Sequence, residues 1–334
     1  MEDKYKFAGI AIIVLCCFPL VCIKFLGMRY VFGVLIPYTA LSIFLLGFIS
    51  KVIGWSMSAV PFRIPTTCGQ QESLPWIKAN KIDCPFTKKG VVIRMLLEIF
   101  AFRSLFRNTK FSMDKNGPKM TFSWELWLWV FALAFHYSFL TVIIRHMRFF
   151  TDPIPLCITI VEKLDGILQI GLPGIFISGF VLLGAICFLF LRRIMIPQVR
   201  YISLAADYFP LLLIIAIVLS GMYMRYISKV DVVGIKSFTM GLVMFKPVIP
   251  DTISVMFYIH LFLVCTLLVY FPFSKLMHMG GIFLSPTRNL TCDTRQKRHI
   301  NPWNYPVKVH TYEEYEDDFR EKMIEAGLPV EKES

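Results

Sequence analysis

Six stretches of this chain contain no Asp, Glu, Lys or Arg over lengths that suit membrane helices: residues 7–23, 30–50, 126–144, 166–191, 208–224 and 252–274. A hydrocarbon core about 30 Å thick takes about 20 apolar residues per helix, so each run predicts one crossing. The first run has a charged start and a short apolar body, as a signal peptide would. Cys16, Cys17 and Phe18 offer no small-residue cleavage pattern, however, and the run reads as a retained span. The connection 24–29 is so short that it predicts two antiparallel neighbouring helices.

The polar stretches divide the rest. Residues 51–125 are the longest interruption, with Pro61, Pro65 and Pro75 opposing regular helix in their first part. Within them, 90–107 mixes bulky apolar residues with Arg94, Arg103 and Arg107, which predicts an amphipathic helix at the inner interface. It serves either as a lipid-surface helix or as a docking face for a cytoplasmic partner. Trp124, Trp127 and Trp129 mark the aromatic belt where the third span enters. Gly166, Gly171, Gly174, Gly179 and Gly184 make the fourth run one that another helix, or a flat cofactor, could approach closely. After the last run the chain is basic over 279–300 and acidic over 301–334, with Trp303, Tyr305, Tyr312 and Tyr315 interleaved. That tail has too little apolar content for a core of its own. Four parts result: a two-helix membrane hairpin (1–50), an inner segment (51–125), a four-span domain (126–280) and a cytoplasmic tail (281–334).

Composition fixes the class. With 56% hydrophobic residues, 17% charged and a mean hydropathy of +0.62, the 334-residue chain reads as an all-α integral membrane protein. The net charge of +12 would suggest nucleic acid in a soluble protein, but here basic residues report orientation. With both termini cytoplasmic, the inner segments hold 26 of the 35 Lys and Arg residues, as the positive-inside rule requires of a multi-pass protein of the cytoplasmic membrane. Nine cysteines form no CxxC or CxxCH, which argues against an attached c-type haem or a cysteine-ligated cluster of ordinary spacing. Cys68 and Cys84 are expected as free thiols.

Histidine carries the chemistry. Four of the six histidines lie in or at the ends of two spans: His136 and His146 on the third, His260 and His278 on the sixth. Polar groups in membrane spans are rare and are functional candidates by default. Two helices with two histidines each can hold two haems by bis-imidazole ligation. Because three crossings separate these spans, they run in opposite directions, and depth pairs His136 with His278 inside and His146 with His260 outside. Eighteen residues are five full turns, which puts His260 and His278 on one side of a continuous helix. The match is imperfect: the two steps rise about 15 Å and about 27 Å, and His136 and His146 stand about 80° apart. Arg145, Arg148, Arg192, Arg193 and Lys275 are placed to pair with haem propionates, although orientation alone accounts for the inner three. A histidine-relay transporter and a cofactor-free membrane anchor remain as readings from other classes.

His260-Leu261, Phe271-Pro-Phe-Ser-Lys-Leu-Met-His278, the ten-residue step from Phe135-His136 to His146, and Arg192-Arg-Ile-Met-Ile-Pro-Gln-Val-Arg200 leading to Asp207 resemble the gamma subunit of respiratory nitrate reductase, a di-haem cytochrome b. The resemblance covers residues 126–280. It implies that the four histidines ligate two haem b groups in the pairing above, and that quinol is oxidised beside the outer one near a lysine. Lys163 is the candidate, with Asp165 second. The extra first helix, the 51–125 segment, Asn301-Pro-Trp-Asn-Tyr305 and Ala326-Gly-Leu-Pro-Val330 are similar to DsrM, the membrane subunit of the sulfite-reduction-associated DsrMKJOP complex. That similarity implies menaquinone as carrier and a heterodisulfide-reductase-like iron–sulfur subunit on the cytoplasmic side. It further implies a module with a multihaem cytochrome c, a ferredoxin-like protein and a second membrane subunit. The expected role is electron transfer from menaquinol, by way of the outer pair and then the inner pair, to the iron–sulfur partner; a gamma-type subunit of another quinol-linked oxidoreductase is the nearest alternative.

Overall fold

Each charge-free run becomes one long apolar helix, and six helices are long and apolar enough to cross a membrane. The computed structural model describes residues 4–58, 69–113, 120–166, 174–284, 288–294 and 309–331. In chain order its helices are α1 (Lys4–Leu26), α2 (Ile36–Ser56), α3 (Lys88–Ala101), α4 (Arg103–Phe106), α5 (Leu126–His146), α6 (Leu156–Asp165), α7 (Ile177–Met195), α8 (Pro197–Ile202), α9 (Ala205–Tyr226), α10 (Val232–Val243), α11 (Val255–Tyr270), α12 (His278–Leu284) and α13 (Tyr312–Glu325). The spans are α1, α2, α5, α7, α9 and α11. One antiparallel hairpin, β1 (Thr109–Met113) with β2 (Met120–Trp124), departs from the all-helical expectation. Its strands have the alternating sequences Thr-Lys-Phe-Ser-Met and Met-Thr-Phe-Ser-Trp.

Packing runs in the order α5–α7–α9–α11, so the four spans of the second part form an open bundle. Helix α5 makes almost no backbone-level contact with α11, and the gap between them is left to side chains. The first two spans do not mainly pack on each other, as their short connection suggested. Helix α1 lies on α9 and α11, and α2 lies on α11. A knot of three rings explains this: Phe18, Phe32 and Phe262 meet at centroid distances of 5.4 to 5.9 Å, tying both N-terminal helices to α11. Between α1 and α2, Val31–Leu35 widens into a π-turn. Pro37 lacks the amide that would bond Gly33, which loosens the helix there. Gly33 also admits Tyr258 and Phe238, which lie 3.2 and 3.3 Å from where a Cβ would stand.

The expected amphipathic helix exists as α3, capped by the Thr87 side chain, but its polarity is inverted. Arg94 and Glu98 are 2% and 6% exposed, while Val92, Ile93, Leu96 and Phe100 are each about half exposed. Charged residues turn inward because the segment folds on an ionic hub: Asp83 accepts from Arg103 Nε at 2.9 Å and from Arg107, and Ser104 bonds Glu98. The start of the tail joins this hub through Cys292 N to Pro85 O at 2.8 Å. Cys84 and Cys292 are buried, and Cys68 lies outside the described residues. Farther along the tail, expected to be solvated, α13 forms with a Thr311–Glu314 capping box and closes on itself through Glu331 N to Glu316 Oε2.

Candidate functional site

Helix α5 presents His136 and His146 ten residues apart, and the apolar chain around them leaves each imidazole little choice of partner. His136 Nδ1 donates to Ala132 O at 2.8 Å and His146 Nδ1 to Val142 O at 2.7 Å, the carbonyls one turn back. A carbonyl can only accept, so both rings carry their proton on Nδ1 and offer Nε2 as a bare lone pair.

Across the gap, α11 supplies His260 but not His278. The reading of one continuous helix carrying both is overturned: α11 ends at Tyr270, followed by a 3₁₀ turn Phe271–Phe273, an extended Ser274 and a second 3₁₀ turn Lys275–Met277. Pro272 removes an amide from the helical ladder, and Ser274 Oγ accepts from Leu276 N to restart the chain. Pro272 is held in place by α2, where Gly47 has no side chain to obstruct it; a Cβ there would be 2.8 Å from Pro272 Cγ. The break removes the axial mismatch. From His260 to Tyr270 is the same ten-residue step as from His136 to His146, about 15 Å of rise in each helix. His278, freed from the phase of α11, turns back toward His136.

The rings meet in two pairs. His136 and His278 have centroids 6.0 Å apart, and His146 and His260 have centroids 6.5 Å apart. His278 Nδ1 donates to Lys275 O at 2.8 Å, while His260 Nδ1 lies 2.9 Å from Ser220 Oγ. All four Nδ1 atoms are therefore engaged, and all four Nε2 atoms remain for a ligand. Among the described residues no group of three or more His, Cys, Asp or Glu could hold a bare metal ion. A pair of imidazoles suits instead a metal whose remaining positions come from a macrocycle, as in haem. Two metal–nitrogen bonds of about 2 Å, plus the distance from nitrogen to ring centre, place ring centres about 6 Å apart. The donor set, the spacing and the open α5–α11 gap fit such a group.

Aromatic and small residues frame the pairs. Phe102, at φ 47° in the joint between α3 and α4, sets its ring edge-on to His136 at 4.9 Å. Trp129 Nε1 and Tyr137 OH satisfy the last carbonyls of α3, Ala101 and Phe100, so α3 is pinned beside the His136–His278 pair. On the outer side Gly221 brings α9 against His260, whose Cε1 is 3.3 Å from the position of a Cβ. Gly179 and Gly184, by contrast, have nothing within 4 Å of a Cβ, so neither marks a close helix contact. Helix α10, unforeseen because its twelve residues are too short to span, covers the outer end of α5 through Thr239 Oγ1 to Phe149 O at 2.6 Å.

Every basic residue considered for propionates has an acidic partner. Arg145 pairs with Asp165 at 2.6 Å, Arg148 with Glu162, and Arg192 with Glu125. Arg193 bonds Ser203 Oγ at 3.0 Å and lies 3.8 Å from Asp207, which also accepts from Lys275 at 2.6 Å. Asp207 thereby ties the turn before His278 to the end of α7 and the start of α9. Asp165 accepts from Ser178 N and Oγ as well, at 2.7 and 2.6 Å, while Lys163, two residues away on α6, is exposed. Ser220, Gly221 and Arg225 were missed from sequence; small and polar residues recurring at one-turn spacing along α9 were the available signal.

This fold and site define a polytopic helical membrane protein with two interhelical imidazole pairs, one toward each face. The chain belongs to the nitrate reductase gamma subunit family, whose model matches residues 95–294. It is 44% identical over 281 residues to the Hdr-like menaquinol oxidoreductase cytochrome b-like subunit of Archaeoglobus fulgidus, covering 82% of this chain and 83% of that one. The protein of the same name from Archaeoglobus profundus is 42% identical over 282 residues, with the same coverage.

Proposed function

We propose that this chain is the di-haem cytochrome b subunit of a menaquinol-oxidising complex of the cytoplasmic membrane, of the DsrM kind and serving dissimilatory sulfur metabolism. The observation that carries the proposal is the two imidazole pairs, with ring centres 6.0 and 6.5 Å apart and every Nδ1 engaged. Haem b, bound at each pair, supplies one-electron transfer between menaquinol and a heterodisulfide-reductase-like iron–sulfur subunit. The names borne by the two Archaeoglobus relatives support the menaquinol and the Hdr-like assembly. A multihaem cytochrome c, a ferredoxin-like protein and a second membrane subunit complete the complex, and the chain alone catalyses nothing beyond quinol oxidation.

The chain's own residues hold and orient. His136 with His278, and His146 with His260, would each hold one haem iron through their Nε2 atoms. The carbonyls of Ala132, Val142 and Lys275, with Ser220, fix ring orientation and raise ligand basicity. Lys163, exposed on the outer connection, faces quinol, while Asp165 is occupied with Arg145 and Ser178 and holds α6 to α5 and α7. Both termini are cytoplasmic, so protons leave on the outer side and electrons on the inner.

A reduced-minus-oxidised absorption spectrum with a pyridine haemochrome count tests this. Two haem b per purified chain are expected. Folded chain that takes up none when haem is supplied overturns the reading.

A further inference from the structure

Two arginines converge on one phenylalanine at the outer end of the bundle. The guanidinium carbon of Arg145, the residue before His146, lies 3.3 Å from the centre of the Phe176 ring, and that of Arg225, near the end of α9, lies 4.1 Å from the same centre. Such stacking fixes the plane of each fork. Their outer nitrogens are engaged: Arg145 Nη1 donates to Asp165 and to Ser178 Oγ at 3.2 Å, and Arg225 Nη2 donates to Gly174 O at 3.2 Å. Tyr226 OH accepts from Phe176 N at 3.1 Å, which holds the shared ring in place.

Two features of this cluster are unresolved by its own contacts. The Nε of Arg145 and the Nε of Arg225 are both buried without an acceptor. One carboxylate, Asp165, faces two guanidiniums, since the nearby Glu162 is paired with Arg148. Buried charged donors are costly to leave unpaired, and a surplus of positive charge selects an anionic acceptor over a neutral one. The position indicates which anion. Arg225 stands one helical turn beyond Gly221, whose backbone abuts His260, so Arg225 and the His260 ring share a face of α9. Arg145 adjoins His146 directly.

We propose that Arg145 and Arg225, stacked on Phe176, form a carboxylate cradle for the macrocycle held by His146 and His260, with the two free Nε–H groups as its donors. This rests on the haem reading above and adds Arg225 and Phe176 to Arg145. Asp165 and Ser178 are positioning residues that aim Arg145.

The test is a spectroscopic redox titration of the full-length purified protein and of its Arg225→Gln and Arg225→Lys variants. Arg225→Gln is expected to keep two haems and to lower the midpoint potential of one, because a lost cation favours the oxidised form. Arg225→Lys restores most of that potential, and the other haem does not move in either variant. Unchanged potentials in Arg225→Gln, or a raised KM for a menaquinol analogue with potentials unmoved, overturn the cradle; the second result assigns the pair of arginines to quinol instead. Should Arg225→Gln fail to fold, Arg145→Gln is titrated in its place and read in the same way. Wild-type protein without haem defeats the proposed function itself, whereas a haem-loaded Arg225→Gln variant with wild-type potentials defeats only the cradle.

Discussion

Ser220 Oγ stands 2.9 Å from His260 Nδ1 and 2.9 Å from the carbonyl of Ile217. The hydroxyl has one proton, and the carbonyl can only accept it, so the oxygen must accept from the imidazole. This serine is therefore the outer pair's counterpart to the carbonyls that fix the other three rings. Ser220→Ala frees the ring to rotate and to exchange tautomers. Loss of such a partner weakens metal ligation by about 10- to 100-fold, so haem retention at the outer pair should fall on dilution or chelation while the inner haem persists. Equal retention at both sites would count against the role of the serine.

The pairs should be separable by substitution. His136→Ala or His278→Ala is expected to leave one haem per chain with the potential of the outer site. His146→Ala or His260→Ala should leave the other. The pyridine haemochrome count and potentiometry read both numbers from one sample, and loss of both haems in every variant would mean the pairs do not load independently.

Two glycines supply complementary probes of the same architecture. In Gly47→Ala the new methyl would meet the Pro272 ring at 2.8 Å, a contact that a rigid ring cannot relieve without moving the α11 break. Overpacking of this kind costs about 1–3 kcal/mol, and the inner haem spectrum should change before the outer. In Gly221→Ala the methyl reaches 3.3 Å from His260 Cε1, so the outer spectrum should respond instead. Thermal melting followed at the two haem absorption bands distinguishes the cases.

Acid should loosen the inner segment. Burial alone would raise the carboxyl of Asp83, but hydrogen bonds from Arg103 and Asn80 and the charges of Arg103 and Arg107 outweigh it and hold the group below its ordinary 3.8. A folded-state value below the unfolded one stabilises the fold above the unfolded pKa, and that stabilisation is lost as pH falls through the folded value. Amide protection in α3 and α4 should therefore drop below about pH 4 while the spans keep theirs. Asp83→Asn should abolish this dependence, as hydrogen exchange at matched pH would show.

The spans and the partners of the histidines were legible because charge-free length and residue spacing are local properties of a helix. What escaped was set by contacts between distant segments. Pro272 was visible as a helix breaker, yet five whole turns from His260 to His278 suggested a single helix, and only the seat that Gly47 gives to Pro272 explains why the chain turns there. The inward charges of α3 follow from Asp83 and the tail, which no periodicity within 90–107 could reveal. The acidic partners of the five basic residues come from connections whose folding the spans alone do not determine. Ser220 lay in a run that read as ordinary apolar helix, and Arg225 stood just past its end.

Because α1 and α2 pack on α11, two helices depend on a third that lies some two hundred residues downstream. Tyr38 bonds the Leu242 carbonyl 204 positions downstream, and the Phe18–Phe32–Phe262 knot spans a comparable separation. During synthesis α2 must wait in the lipid, without its principal neighbour, until α11 has emerged. Contacts of such separation form late and slowly. His260 on α11 and His278 just beyond it arrive together, so biogenesis couples the packing of α2 to completion of both imidazole pairs, and a chain arrested before α11 would have neither.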